Sequence, residues 1–200
     1  MTHSLSISTN GISVKRARSK TPCFALGTQI LTPMGDKLIQ DLRVGDKIET
    51  LDHGAQPIRA KGQRRFEATE ANAPIRFRAG VLNNEHDLCV TPGHRIRFAG
   101  WQADLLFGEP EVLVAARDFV NGTTVTREIG ATVSYAYLEL DHHTIIFAER
   151  VPVESAQAPV PKTRSAHDQL VLAPLAQHEA QVLLRSYVAP KAATPATPTA

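Results

Sequence analysis

The run Pro22-Cys23-Phe24-Ala25-Leu26-Gly27-Thr28 puts a cysteine where a basic, unpatterned leader gives way to alternating apolar sequence. A free thiol with a pKa near ~8.5 is only a few per cent thiolate at neutral pH, yet it is intrinsically very nucleophilic. The carbonyl just upstream, that of Pro22, lies within reach of a five-membered-ring attack. Such an attack converts the Pro22–Cys23 amide into a thioester by an N-to-S acyl shift. An amide nitrogen leaves poorly, so the step needs one group to protonate it and another to stabilise the oxyanion. Thr91-Pro92-Gly93-His94 offers a hydroxyl and an imidazole across one tight turn, and histidine is the natural proton donor near neutral pH. A Thr-x-x-His alone is a weak signal, and a buried free cysteine is most often just a small hydrophobe. The pattern gains weight because the two motifs occur together and in this order.

A third group lies in Leu138-Glu139-Leu140-Asp141-His142-His143-Thr144-Ile145-Ile146-Phe147. Adjacent residues on a strand face opposite ways, so only one of the two histidines is expected at a site. Cys89 has period-two spacing to Thr91, so it shares a strand face with it, and a disulfide from there to Cys23 would block the nucleophile. Cys23, Cys89, His86, His94, His142 and His143 include zinc-ligating residue types, but no pair has Cys-x-x-Cys spacing. The expectation is therefore no metal and no cofactor.

The elements that must hold these groups read as strands. Thr28–Thr32 and Lys37–Gln40 flank a turn at Pro33–Asp36. Lys47–Leu51, Pro57–Phe66, Pro74–Arg78, Asp87–Thr91, His94–Phe98, Glu111–Ala116 and Tyr135–Leu140 continue the period-two pattern between turn residues. Nothing between 23 and 155 has helical periodicity of helix length. The fold class expected is all-β, with a C-terminal helical extension.

The expected organisation is a disordered basic leader at 1–22, one domain at 23–158, a linker with helical segments at 159–188, and a disordered Ala/Pro/Thr tail at 189–200. The helical segments are expected to be interrupted near Pro174. A core of this size needs no second domain. Net charge is +2, which argues for neither a nucleic-acid partner nor an acidic one, and hydrophobic content is an ordinary 42%. The leader carries Lys15, Arg16, Arg18 and Lys20, and reads as a solvated tail. No apolar run approaches the ~18 residues of a membrane span. Residues 1–20 lack the apolar core of a signal peptide. Two cysteines make no disulfide framework, so the expected compartment is reducing, the cytoplasm by default. Export by a route without a conventional signal peptide stays open. The chain is expected to be a monomer.

The three blocks, in this order, resemble the Hint superfamily, shared by hedgehog autoprocessing segments and inteins, and above all its bacterial intein-like group. Cys23 through Thr28 with Ile30, Thr32 and Gly35 matches the opening block. Val44-Gly45-Asp46 matches its follow-on turn, and Val90-Thr91-Pro92-Gly93-His94 matches the Thr-x-x-His block. Tyr137 through Phe147 resembles the late histidine block. The resemblance covers residues 23 to about 155. It implies a compact, mostly β horseshoe with pseudo-twofold halves. It also implies that Cys23 is the nucleophile, that Thr91 and His94 activate the Pro22–Cys23 amide, and that His143 assists late.

The end of the late block departs from the splicing pattern. Splicing inteins close on His-Asn before a nucleophile, whereas this chain has Val153-Glu154-Ser155-Ala156, and Glu149-Arg150 replaces the usual Gly-containing turn. Full splicing is not expected. The reading that remains is a single-turnover autocatalyst with its own leader as substrate, the thioester being released by water or a small nucleophile. The alternatives are a non-catalytic Hint-fold interaction or structural module, and a Cys/His hydrolase acting on an external peptide or ester.

Overall fold

The computed structural model describes residues 22–157 and 172–186. The expectations for the leader before Pro22, for 158–171 and for the tail after 186 lie outside the described residues. The chain begins β1 (Phe24–Ala25), β2 (Gln29–Thr32), β3 (Gly35–Leu38), β4 (Lys47–Thr50), β5 (Gly54–Pro57), β6 (Ala60–Glu67), β7 (Ile75–Phe77), β8 (Leu88–Val90) and β9 (Arg95–Ala99). Helix α1 (Trp101–Phe107), β10 (Glu111–Ala115), a 3-10 turn at Ala116–Phe119, β11 (Val125–Arg127), β12 (Thr132–Leu140), β13 (Ile145–Ala148), β14 (Val151–Glu154) and β15 (Ala156–Gln157) follow. Strand β16 (Ala173–Pro174) and helix α2 (Gln177–Ser186) complete it. The all-β expectation and the C-terminal helix are both borne out.

The strands form two sheets. One runs β11-β7-β8-β1-β12-β15, with β6 also on β12; the other runs β16-β10-β9-β14-β13-β2-β3, with β4 on β13 and β5 on β4. Period-two sequence explains why these segments are strands. In β2, β4, β7, β8 and β9 every second residue is buried. The inward set includes Ile30, Ile48, Ile75, Phe77, Val90 and Ile96, all in one core cluster. Each such side chain contributes about 1.5–3 kcal/mol by leaving water.

The site's backbone comes from the crossing between the sheets. Strand β1 is central in its sheet: Phe24 pairs with Ala136 on one side and Val90 on the other. Strand β8 leaves that sheet through the Thr91–His94 turn and enters the other sheet as β9. There Ile96 pairs with Val153 of β14. The amides of Ala116 and Arg117 donate to the carbonyls of His94 and Pro92 at 2.8 and 3.0 Å. The 3-10 turn therefore clamps the Thr91–His94 corner.

Three differences from the sequence expectation have physical causes. Helix α1 occurs where no helix is expected. It has seven residues and buries only Ala103, leaving Trp101 and Leu105 exposed, so it has no apolar stripe to detect. Gly108 ends it in the left-handed conformation at φ 68°. Around Pro174 the chain is a strand rather than a helix interruption, since Ala173 and Pro174 pair in parallel with Val112 and Leu113. Helix α2 then buries Ala180 and Leu183 against Phe98, Val112 and Val114 while Val182 stays exposed. Finally, the β13–β14 turn dispenses with glycine: Glu149 and Arg150 both take positive φ, 49° and 68°. A two-residue hairpin turn of this hand is cheapest with Asn or Gly, and each non-glycine residue there costs of order 1 kcal/mol. Contacts offset it. The buried Glu149 carboxylate accepts from the Gln29 amide at 2.7 Å and meets His86 Nδ1 at 3.1 Å, and Arg150 pairs with Asp36.

Candidate active site

Cys23 precedes β1, with its backbone beside Thr91. The contact is reciprocal: the Thr91 amide donates to the Cys23 carbonyl at 3.0 Å, and the Cys23 amide donates to Thr91 Oγ1 at 3.2 Å. The second bond matters most, because the Cys23 amide nitrogen is the nitrogen of the Pro22–Cys23 peptide bond. Cys23 is fully buried and packs with Phe66 and Tyr135. Tyr135 is held by its hydroxyl, which donates to the Asn72 carbonyl at 3.0 Å. No disulfide joins Cys23 to Cys89. Burial pushes the Cys89 thiol up to about 11.

His94 is also fully buried, edge-on to Phe24 at 4.5 Å between ring centroids. Its two nitrogens face two carbonyl oxygens: Nδ1 is 3.2 Å from Cys23 O, and Nε2 is 3.1 Å from Glu154 O. A neutral imidazole donates to only one of these, while an imidazolium donates to both. Burial pulls its pKa below the ordinary value, and the Glu154 charge and the two carbonyls oppose that without cancelling it. His94 is thus a buried base whose proton, once taken up, is held on both sides.

Thr91 and His94 therefore divide the peptide around Cys23: the hydroxyl sits on the nitrogen of the Pro22–Cys23 bond, and the imidazole sits on the next carbonyl. The spacing of the motif leaves this division open, and the geometry resolves it. His143 lies against Glu154. Its Nε2 lies 3.3 Å from Glu154 Oε2 and has no better partner among the described residues. His142 is exposed and lies 5.5 Å from the His53 ring; both histidines sit in the turn between β12 and β13 and not on a strand as expected.

Glu154 is the residue that the sequence analysis passes over. It is 2% exposed, and it links His143 to His94. Its carboxylate accepts the Arg95 amide at 2.9 Å and meets Arg95 Nη1 and His143 Nε2 at 3.3 Å, while its carbonyl faces His94. Burial alone would raise its pKa. The His143 contact and the His94 and Arg95 charges outweigh burial and hold it below the usual carboxylate value. The only hint in the sequence is position: Glu154 follows Val151 and Val153 on a strand whose buried run extends through it. Ser155 beside it is fully buried, and its hydroxyl accepts the Thr144 amide at 3.1 Å.

Among the described residues no group of three or more His, Cys, Asp or Glu is placed to hold a metal ion. No helix there is long and apolar enough to cross a membrane.

A sequence model described as "Hint domain" matches residues 22–159. No curated protein matches the chain. Among solved structures, an intein-like domain from Clostridium thermocellum is 16% identical, with a TM-score of 0.49 over 66% of this chain and 98% of that one. The MchDnaB-1 intein is 18% identical, with a TM-score of 0.43 over 65% and 98%. On the family match, the chain belongs to the Hint domain family.

Proposed function

We propose that this domain cleaves its own chain at Pro22–Cys23 through a thioester and does not splice. The observation that carries the reading is the Cys23 amide N–H on Thr91 Oγ1, with His94 on the adjoining carbonyl. Cys23 Sγ attacks the Pro22 carbonyl carbon and loses its proton. The carbon–nitrogen bond breaks, and the nitrogen gains a proton. In the planar amide the nitrogen can only donate, so the Thr91 hydroxyl accepts. In the tetrahedral intermediate the nitrogen acquires a lone pair, and the same hydroxyl turns to donate. His94 is the titratable group that supplies the proton to this corner. Water or a small nucleophile then releases the leader from sulfur. Val153-Glu154-Ser155-Ala156 contains no asparagine to cyclise, so the last step of splicing has no residue there to perform it.

The test is intact mass over time, with and without dithiothreitol or hydroxylamine, beside Cys23→Ala. Loss of residues 1–22, faster with added nucleophile and absent in Cys23→Ala, is expected. Unchanged mass in both proteins over days overturns the reading. That result would favour a non-catalytic module, which the complete burial of Cys23 also fits.

A further inference from the structure

A cavity of about 570 Å³ borders Thr91, whose hydroxyl holds the Cys23 amide. Thr91, Pro92 and Gly93 form one wall, and Phe66 and Tyr135, which pack on Cys23, form another. The remaining lining is mainly polar: Arg117, Arg127, Glu70, Asn72 and Gln177, with Ala71. Two guanidiniums face one carboxylate, so the cavity is net positive. Arg117 is half exposed, and its nearest acid, Asp118, is 3.8 Å away. Arg127 donates one bond to the Glu70 carbonyl at 2.6 Å and keeps its other donors. Asn72 is 6% exposed, and its Oδ1 has no partner. A buried amide oxygen left without a donor costs about 1–3 kcal/mol, and an arriving donor recovers it.

The occupant must therefore carry an anion for the arginines and an N–H for Asn72. The leader fits poorly, because Lys15, Arg16, Arg18 and Lys20 would meet like charge. We infer that this cavity is the acyl-acceptor subsite, and that it takes a small amine bearing a carboxylate. The inference rests on the thioester reading above. The carboxylate lies on Arg117 and Arg127, which hold carboxylates well through paired N–H groups. The neutral amine donates to Asn72 Oδ1 and attacks the thioester carbonyl of Pro22. A carbon–nitrogen bond forms, the carbon–sulfur bond breaks, and the proton lost by nitrogen goes to the Cys23 sulfur. The products are a leader amide and a free thiol, with no oxidant or reductant.

The experiment allows full-length protein to react with glycine or glycinamide at equal concentration, and mass spectrometry measures each leader adduct. Each rate is divided by that amine's rate with a small-molecule thioester, which removes intrinsic reactivity. Glycine is expected to be favoured by about tenfold, the factor that one charge-assisted contact gives. The preference is expected to fall towards one in Arg117→Gln and in Arg127→Gln, whichever variant folds. Equal normalised rates in the wild-type protein overturn the acceptor assignment and leave the cleavage reading standing. A preference for glycine that survives in both variants overturns the assignment to these arginines. Absence of any adduct or cleavage overturns both readings.

Discussion

Replacing Glu154 with glutamine separates the proposed proton network from mere packing. The side chain keeps its shape, so the amide oxygen still accepts the Arg95 N–H. The negative charge is lost. Bonds to a charged group are worth about 1.5–3 kcal/mol and neutral ones about 0.5–1.5, so the exchange costs about 1 kcal/mol at the Arg95 bond. The new NH2 group meets either Arg95 Nη1 or His143 Nε2, both at 3.3 Å in the native protein. That mismatch brings the total to about 2 kcal/mol. If all of it is felt in the transition state, cleavage slows by about thirtyfold. Glu154 raises the pKa of His94 against the downward pull of burial. Without that charge His94 stays neutral to lower pH, so the pH above which cleavage fades moves down. The assay is single-turnover cleavage against pH, read by mass, with thermal unfolding alongside. A thirtyfold loss with an unmoved pH profile would make Glu154 a packing residue, and a wild-type rate would refute the network altogether.

Three further outcomes are expected. Thr91→Val keeps the volume but removes the hydroxyl that accepts the buried Cys23 N–H, at about 1–3 kcal/mol; cleavage should slow by roughly tenfold to a hundredfold, and the thermal midpoint should drop. Stability should fall as pH drops below 6.5, because His94 has a lowered folded pKa: the full contribution is present above the unfolded value and is lost through the folded one. Glu154, also lowered, adds a second loss below 4.5, so urea midpoints should decline in two stages on the acid side, stay level from 6.5 to about 9, and fall again above that as the buried Cys89 thiol resists ionising. Gly62→Ala should destabilise by about 1–3 kcal/mol, seen in thermal unfolding, because an added Cβ would strike the Tyr137 ring that lies across it.

The strands were legible because burial on one face imposes period two, and Ile30, Ile48, Ile75 and Ile96 keep it. Cys23, Thr91 and His94 were legible as types in order. Which of Thr91 and His94 meets the nitrogen was not, because it depends on the register between β1 and β8. Glu154 was hidden because its role comes from three elements converging on one strand end, and a glutamate there looks like any solvent-facing one. Helix α1 escaped because about two turns with one buried alanine leave no periodic trace. The glycine-free turn at Glu149-Arg150 weakened the late block on paper. In the fold, contacts from β2 and β3 replace what glycine would supply.

The bond from the Cys23 nitrogen to Thr91 also bears on what the molecule becomes after acting once. An amide nitrogen suits that niche because it is neutral and has one hydrogen to give. Cleavage turns it into a terminal amine, which in water would hold a charge near neutral pH. The niche offers one hydroxyl and a wall of aromatic carbon, so it disfavours the charged form. The spent domain must either keep that amine uncharged or let the terminus swing out to water. If the terminus swings out, the proposed reverse step has no nitrogen in place to attack the thioester. The proposed reaction would thus carry its own ratchet, built from the same contact that begins it.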